Sequence, residues 1–349
     1  MTYQQIVRDI REKQNIDINQ LQILLGQATE EDVSYLYTQA REVADEAYGK
    51  RVFKRGLIEF TNYCKNDCYY CGIRRSNANA ERYRLEKETI LACCEKGYEL
   101  GYRTFVLQGG EDGYFTDERI CDIVSAIRKN YPDCAITLSI GEKSKESYQK
   151  YFEAGANRYL LRHETANDKH YTKLHPVELS LENRKKCLFD LKEIGYQVGC
   201  GFMVGSPYQT IETLYEDLMF IKDLEPHMVG IGPFIPQKDT PFANEHAGSL
   251  EMTLRLLAII RLIHPSVLLP ATTALGTIHE KGRELGVLAG ANVVMPNLSP
   301  TDVREKYKLY DNKACMGDEA VEGDKNLKIR MKEIGYDLVC DRGDYLCTT

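Results

Sequence analysis

Between residues 56 and 295 the chain alternates short β-like runs with helix-length amphipathic segments, and this rhythm constrains the fold more than any other feature. The runs cover 56–61, 104–108, 135–140, 158–162, 198–204, 228–232, 267–272 and 292–295. Segments with helical spacing of apolar residues lie between them, notably 87–100, 118–129, 181–194, 211–224, 250–263 and 279–288. Several end on a glycine beside an aromatic residue or an alanine: Gly97-Tyr98, Gly101-Tyr102, Gly155-Ala156, Gly195-Tyr196 and Gly290-Ala291. A glycine there can take the left-handed conformation that closes a helix before the next strand. Strands alternating with helices build right-handed β-α-β units on a parallel sheet, and eight such units make a TIM-type (βα)8 barrel of the α/β class. An open doubly wound sheet would carry a G-x-G-x-x-G turn after its first strand, and none follows Phe60.

The barrel is expected over 53–298, preceded by an N-terminal helical segment (1–52) packed on it and followed by a C-terminal extension (299–349) with one late helix near 325–334. In the N-terminal part Leu21, Leu24, Leu25, Val33, Leu36 and Ala40 recur at helical spacing, and Thr29 before Glu30, Glu31 and Asp32 reads as a capped helix start.

Charge and apolar runs exclude several functions. A net charge of −7 lacks the basic footprint of a nucleic-acid binder and gives no polybasic hold on an anionic membrane. The most apolar stretch, 254–263, is short and contains Arg255 and Arg261, well below the roughly 20 apolar residues of a membrane helix. The N-terminus shows no apolar core of a signal peptide. A cytoplasmic location is therefore expected, where disulfides are rare. The 12 cysteines must then be small buried hydrophobes or metal ligands. Cys93, Cys94, Cys121, Cys187 and Cys200 fall in helical or strand segments and read as buried thiols.

In a barrel of this kind chemistry gathers where strands end. The first strand is followed by Cys64-Lys-Asn-Asp-Cys68-Tyr-Tyr-Cys71, the second by Gln108-Gly-Gly-Glu-Asp112. The third ends near Ser139, the fourth in Arg162-His163-Glu164, and the fifth in Met203 before Gly205-Ser-Pro207. The seventh ends in Thr272-Thr273 and the eighth in Met295-Pro-Asn297. Three thiols spaced C-x3-C-x2-C can converge on one point, and soft thiolates select iron–sulfur clusters, zinc or copper(I). A structural zinc wants four ligands; no fourth Cys or His lies nearby, the first histidine being His163. Three thiolates would leave one iron of a cubane cluster free to bind a small molecule. A zinc site completed by a distant residue stays open as an alternative.

The cysteine trio, with Tyr70 just before the third thiol, resembles the signature of radical S-adenosylmethionine (SAM) enzymes, and Gly109-Gly110-Glu111 resembles their second element, where backbone meets the amino group of SAM. The strings Leu161-Arg-His-Glu-Thr-Ala-Asn167, Gly230-Ile-Gly-Pro-Phe-Ile-Pro236, Pro270-Ala-Thr-Thr-Ala274 and Met295-Pro-Asn297 are similar to those of the HydE-type radical SAM maturases of FeFe hydrogenase, within the biotin-synthase-like group. The likeness runs from about Phe53 to Cys315.

The resemblance implies that Cys64, Cys68 and Cys71 hold one 4Fe–4S cluster and that SAM is reductively cleaved to methionine and a 5′-deoxyadenosyl radical during assembly of the diiron subcluster. It puts Tyr70 beside adenine, Glu164 on the amino or ribose groups, and Arg184 on the carboxylate, which a planar guanidinium grips with two parallel bonds. Arg162 would share the pocket and could bind an anionic substrate; Ser139 and Met203, with Thr272, Thr273 and Met295, would line it further in. The same resemblance implies an iron-complex or small-molecule substrate, a one-electron reductant and transfer to a scaffold GTPase.

Each assignment has a bland rival. Arg184 could face solvent in its lysine-rich segment, Arg162–Glu164 could be a rim ion pair, Met203 and Met295 could fill core, and Asp112 reads as a loop residue. His163 receives no role, and Tyr307 and Tyr310 could cap the barrel mouth or pack the tail. Some relatives carry a second cluster on three close cysteines near the C-terminus; here Cys315 is far from Cys340 and Cys347, so no second cluster is expected. Gly109 stands where some relatives have serine. A mutase or sulfur-insertion activity on a small molecule and a non-catalytic zinc barrel remain as alternatives.

Overall fold

The computed structural model describes residues 1–314 and 320–346. The chain opens with helices α1 (Tyr3–Lys13), α2 (Ile18–Leu25) and α3 (Glu30–Tyr48). Each begins in a reciprocal capping box, on Thr2, Asp17 and Thr29, so two otherwise orphaned amides are satisfied at each start. Then follow β1 (Arg51–Lys54), β2 (Gly56–Thr61), α4 (Lys87–Glu99), β3 (Thr104–Gly109), α5 (Asp117–Asn130), β4 (Ala135–Ser139), α6 (Lys145–Glu153) and β5 (Arg158–Leu160). The second half runs α7 (Asp168–Leu174), α8 (Leu181–Ile194), β6 (Gln197–Cys200), β7 (Met203–Val204), α9 (Ile211–Leu224), β8 (Met228–Val229), β9 (Gly232–Pro233), α10 (Leu250–Ile263), α11 (Thr273–Ile278), α12 (Gly282–Leu288) and β10 (Val293–Val294). α13 (Thr301–Arg304), α14 (Ala320–Glu333) and β11 (Asp337–Val339) complete it.

Six strands form one parallel sheet in the order β2-β3-β4-β5-β6-β8. Single parallel bridges close the ring: Met228 to Leu268, Pro270 to Val293, and Leu57 to Asn297. The seventh stave, expected as a strand over 267–272, holds only by such bridges, because Pro270 has no N–H to give a ladder. The expected strands 198–204 and 228–232 are each split in two, at Gly201-Phe202 and at Gly230-Ile231. Gly201 (φ +152) lies against Gly230, and a Cβ on it would stand 2.0 Å from the Gly230 carbonyl oxygen. The two staves thus approach closer at the mouth than side chains would allow.

Of the glycines read as helix ends, Gly101, Gly155, Gly195 and Gly290 do have positive φ. Gly97 does not. It lies within α4, where a Cβ would come 2.5 Å from Leu298 and 3.0 Å from Phe105, so its role is close helix–sheet packing.

Helix α10 is buried continuously from Thr253 to Ile263, because the N-terminal helices cover the face the barrel leaves open. Its two arginines cap neighbouring chain ends. Arg255 donates to the Leu24 and Gly26 carbonyls, and Arg261 to those of Gly290 and Pro265. No described helix is long and apolar enough to cross a membrane.

The region after 299 contributes more than the single helix the sequence suggests. β11 pairs with β1, whose other edge pairs with β10, and the following residues close the bottom of the barrel. There Arg158 is 3% exposed and binds Thr104 Oγ1, the Arg342 and Gly343 carbonyls and Asp344 Oδ1 (2.6 Å). Arg158→Met would leave the Gly343 carbonyl without its donor at about 1–3 kcal/mol and lose the Asp344 pair at less, because that carboxylate is 43% exposed, while the Arg342 carbonyl keeps Thr104 Oγ1. We expect a stability loss of about 2–4 kcal/mol in denaturant unfolding and faster proteolysis after residue 336.

Candidate active site

The mouth of the barrel collects the strand ends that the sequence singles out. The cysteine loop leaves β2 and is laced to three neighbours. Lys65 N donates to Glu111 O (2.9 Å), Tyr69 N to Leu174 O (3.0 Å), and Gly72 N to Leu309 O (2.9 Å). Arg82 gathers its return arm by donating to the carbonyls of Asn62, Ile73 and Arg74. Cys64, Cys68 and Cys71 are half-buried within this frame. Burial pushes all three thiols up, Cys68 to about 12, and the thiols act on one another electrostatically. Among the described residues no group of three or more Cys, His, Asp or Glu side chains is converged as an ion-binding set, so the loop gathers the thiols without fixing them around a metal. Thiols of this softness suit an iron–sulfur cluster, and ligation would release their protons.

The second loop lies directly beneath. A Cβ on Gly110 would stand 2.2 Å from Tyr63 O and 2.7 Å from Cys64 Cβ, so glycine is what lets the two loops touch. The Glu111 side chain is already engaged: it accepts from Glu142 N (3.0 Å) and pairs with Lys65 (3.1 Å). Asp112 is a loop organiser, accepting from Thr61 Oγ1, from Nε and Nη2 of Arg84 and from Tyr114 N.

Opposite the cysteines stand Arg162, Glu164 and Arg184. Arg184 comes from the first turn of α8 and is 9% exposed; it is not on a solvated face. Its Nε donates to Glu142 Oε1 (2.5 Å) and its Nη1 to the Arg162 carbonyl (3.0 Å), and its charge reaches Cys68. Glu164 has φ +65, a conformation costing a non-glycine residue about 1–2 kcal/mol and concentrated at functional sites. Burial pushes its carboxyl up, against the pull of Arg162 and Arg184. Arg162 Nη2 and Glu164 Oε2 are 3.2 Å apart but out of hydrogen-bond alignment. Both atoms, with Arg162 Nε and Thr272 Oγ1, are buried without a hydrogen-bond partner among the described residues. Four unsatisfied polar atoms in one barrel mouth are what a polar ligand would complete.

Tyr70 packs with Tyr69, Leu174, Met203, Phe234 and Phe242 and donates to His175 Nε2 (3.0 Å). His175 stacks on Tyr171 at 4.0 Å, its Nδ1 bonds the Tyr171 carbonyl, and burial lowers its pKa to about 3. It is therefore neutral, with Nδ1–H donating and Nε2 free to accept from Tyr70. Ser139 ends β4 opposite Gln108. Thr272 and Thr273 stand at the start of α11. Met295 lies in a cluster lower in the barrel with Leu160, Met228 and Leu268, apart from the cysteine loop.

Sequence reasoning missed Glu142 and His175. Glu142 follows Gly141 (φ +76) just beyond Ser139, where the third strand seemed to end; His175 had no periodic or motif signal. It also missed Glu59 and Lys313, a buried pair joining β2 to the segment over the mouth, with Asn297 donating to the same carboxylate (2.7 Å). Tyr307 is buried and Tyr310 half-buried in this packing, and Lys313 lies over the Tyr307 ring. Cys315 and Cys347 lie outside the described residues; Cys340 is exposed at the end of β11.

Residues 58–221 match the radical SAM superfamily. The chain is 48% identical over 281 residues to the [FeFe] hydrogenase maturase subunit HydE of Thermotoga maritima, covering 80% of each chain. It is 33% identical over 316 residues to the 3-methylornithine synthase of Methanosarcina acetivorans, covering 90% of this chain and 87% of that one. The crystal structure of methylornithine synthase superposes with a TM-score of 0.85 at 29% identity, over 96% of this chain and 97% of the other.

Proposed function

The chain belongs to the radical SAM superfamily and within it to the HydE-type maturases, and from that premise we propose that its barrel mouth binds SAM on a single 4Fe–4S cluster and acts in assembling the diiron site of FeFe hydrogenase. The observation that carries this is the meeting of the three-thiol loop with Arg162, Glu164 and Arg184, where Arg162 and Glu164 leave buried polar atoms open among the described residues.

Cys64, Cys68 and Cys71 would ligate three irons and leave the fourth for SAM. A cluster held by these thiols would supply one-electron chemistry, passing an electron from the reductant to SAM for its cleavage to methionine and a 5′-deoxyadenosyl radical. Arg184 would take the SAM carboxylate, held in place by Glu142; Glu164 would accept from its amino or ribose groups; Tyr70, fixed by His175, would lie beside adenine. Gly109, Gly110 and Glu111 would offer backbone, since the Glu111 side chain is committed elsewhere. Arg162 and Thr272 would meet an anionic group of the substrate, with Ser139, Met203, Thr273 and Met295 along the interior. A one-electron reductant and a scaffold GTPase, in the cytosol, would be the partners. The chemistry is the cofactor's; the chain binds, orients and excludes water.

Anaerobic reconstitution with iron and sulfide, followed by SAM and a reductant, should yield 5′-deoxyadenosine, and a hydrogenase maturation mixture lacking only this protein should recover hydrogenase activity on its addition. An intact cluster without deoxyadenosine would overturn the enzyme reading. Deoxyadenosine without recovery would favour the mutase reading, which the TM-score of 0.85 to methylornithine synthase supports. Tightly held zinc without sulfide would favour the binding barrel.

Arg184→Met should weaken SAM binding about 10- to 100-fold, because a charge-assisted pair contributes about 1.5–3 kcal/mol. Calorimetric titration of SAM into the cluster-loaded protein measures it, and native affinity would remove Arg184 from the site.

A further inference from the structure

We propose that Asp217, which lies on α9 behind the barrel wall, is a positioning residue that holds Glu164 in its left-handed conformation facing the pocket. The inference rests on the assignment of Glu164 to SAM.

Asp217 and His163 are both 0% exposed, and no ligand in the mouth can reach either. A fully buried carboxyl is costly unless its bonds serve something. Asp217 Oδ1 accepts from the Ala166 amide at 2.5 Å, and His163 Nε2 stands 3.3 Å from the same oxygen. On its other side His163 Nδ1 accepts from Gly201 N at 3.3 Å. Gly201 in turn takes the Glu164 amide on its carbonyl (3.0 Å), and Met203 N reaches Glu164 O (3.4 Å). Glu164 is therefore clasped from both sides in sequence. Ala166 after it is tied to the Asp217 carboxylate, His163 before it is held by Gly201 N with its Nε2 close to the same carboxylate, and its own amide is tied to the next stave.

A residue with φ +65 and a side chain larger than glycine persists only when its surroundings over-determine it. The Asp217 bond is the tie that α9 supplies to the Ala166 amide; α8 adds Lys185 Nζ on the Ala166 carbonyl (2.8 Å) and Arg184 Nη1 on the Arg162 carbonyl (3.0 Å). Without it the turn 163–166 can relax toward ordinary backbone angles, which would swing Glu164 away from Arg162. Because the tie is an accepted hydrogen bond, asparagine, which keeps a carbonyl oxygen, should substitute for aspartate. An apolar residue of similar size should fill the space without making the bond.

The test uses the full cluster-loaded chain and reads the SAM dissociation constant together with iron and sulfide content and thermal unfolding. Asp217→Val should raise the dissociation constant tenfold or more with unchanged cluster content, and Asp217→Asn should stay within twofold of the native value. Glu164→Gln is the control for the underlying assignment and should also weaken binding tenfold or more. Native affinity in D217V beside weakened E164Q overturns the positioning role, as does equal weakening in D217N and D217V. Native affinity in E164Q overturns the Glu164 assignment itself. Should D217V not fold, amide exchange on the unaltered chain decides: the Ala166 amide should be protected like a strand amide, and exchange at the rate of an exposed loop would overturn the proposal.

Discussion

Replacing Cys64, Cys68 or Cys71 singly by serine is expected to abolish cluster assembly and 5′-deoxyadenosine formation while leaving the apoprotein folded. The half-buried thiols contribute little apolar area to the core, so apo thermal unfolding should move by no more than a few degrees. Iron and sulfide content after reconstitution should fall below about a tenth of native, because a hard serine oxygen is a poor substitute for a soft thiolate. Loss of one ligand from a three-ligand set would also leave two irons without a protein ligand. Cys315→Ser should retain both cluster and turnover, since it stands far from the trio in sequence. Retention of a cluster by two of the three serine variants would contradict the ligand assignment, and loss in the Cys315 variant would point to a second ligand role.

The parts of the molecule that were legible in the sequence share a local cause. Helices α8, α9 and α10 fall on the residues their periodicity predicts, because amphipathic spacing and a capping Ser or Thr act within a few residues. The cysteine loop was legible for the same reason: its chemistry is written in eight consecutive positions. What the sequence hid is non-local. β11 is three residues of ordinary composition and becomes a strand only because β1 presents a free edge to it. The seventh stave looked like a strand by its apolar run but has lost its ladder to Pro270. At the site, Arg184 was found by motif while Glu142, which orients it, comes 42 positions earlier in another loop. His175 lies 105 positions after the tyrosine it anchors. Residues that touch a ligand recur in recognisable strings; residues that aim them depend on which loops the barrel happens to bring together.

The same distinction sets the second large effect. Gly110→Ala is expected to lower cluster occupancy about as severely as loss of a ligand, although Gly110 contributes no donor atom. The added methyl would stand 2.2 Å from the Tyr63 carbonyl oxygen, 2.7 Å from Cys64 Cβ and 2.9 Å from the Tyr63 carbonyl carbon. Two of these three are backbone atoms, so no rotamer change relieves the contact; the loop itself must retreat by about 1 Å to reach ordinary packing distance. The loops cannot part without cost, because Gly110 N bonds Thr61 O and Lys65 N bonds Glu111 O across the same seam. Cys64 is the nearest element that can move, and it is a proposed ligand. A displacement of that size at a reacting centre costs roughly 100-fold in turnover. Two neighbours calibrate the result. Gly109→Ala meets Thr61 Cγ2 at 2.7 Å, chiefly a side-chain contact, and should cost less. Gly113→Ala meets nothing within 4 Å and should bind cluster and turn over as the native chain does. Iron and sulfide analysis with deoxyadenosine assay on the three variants should therefore rank them Gly113, Gly109, Gly110 in order of increasing loss. Full occupancy and turnover in Gly110→Ala would mean that the cysteine loop is not held against the second loop in the working enzyme.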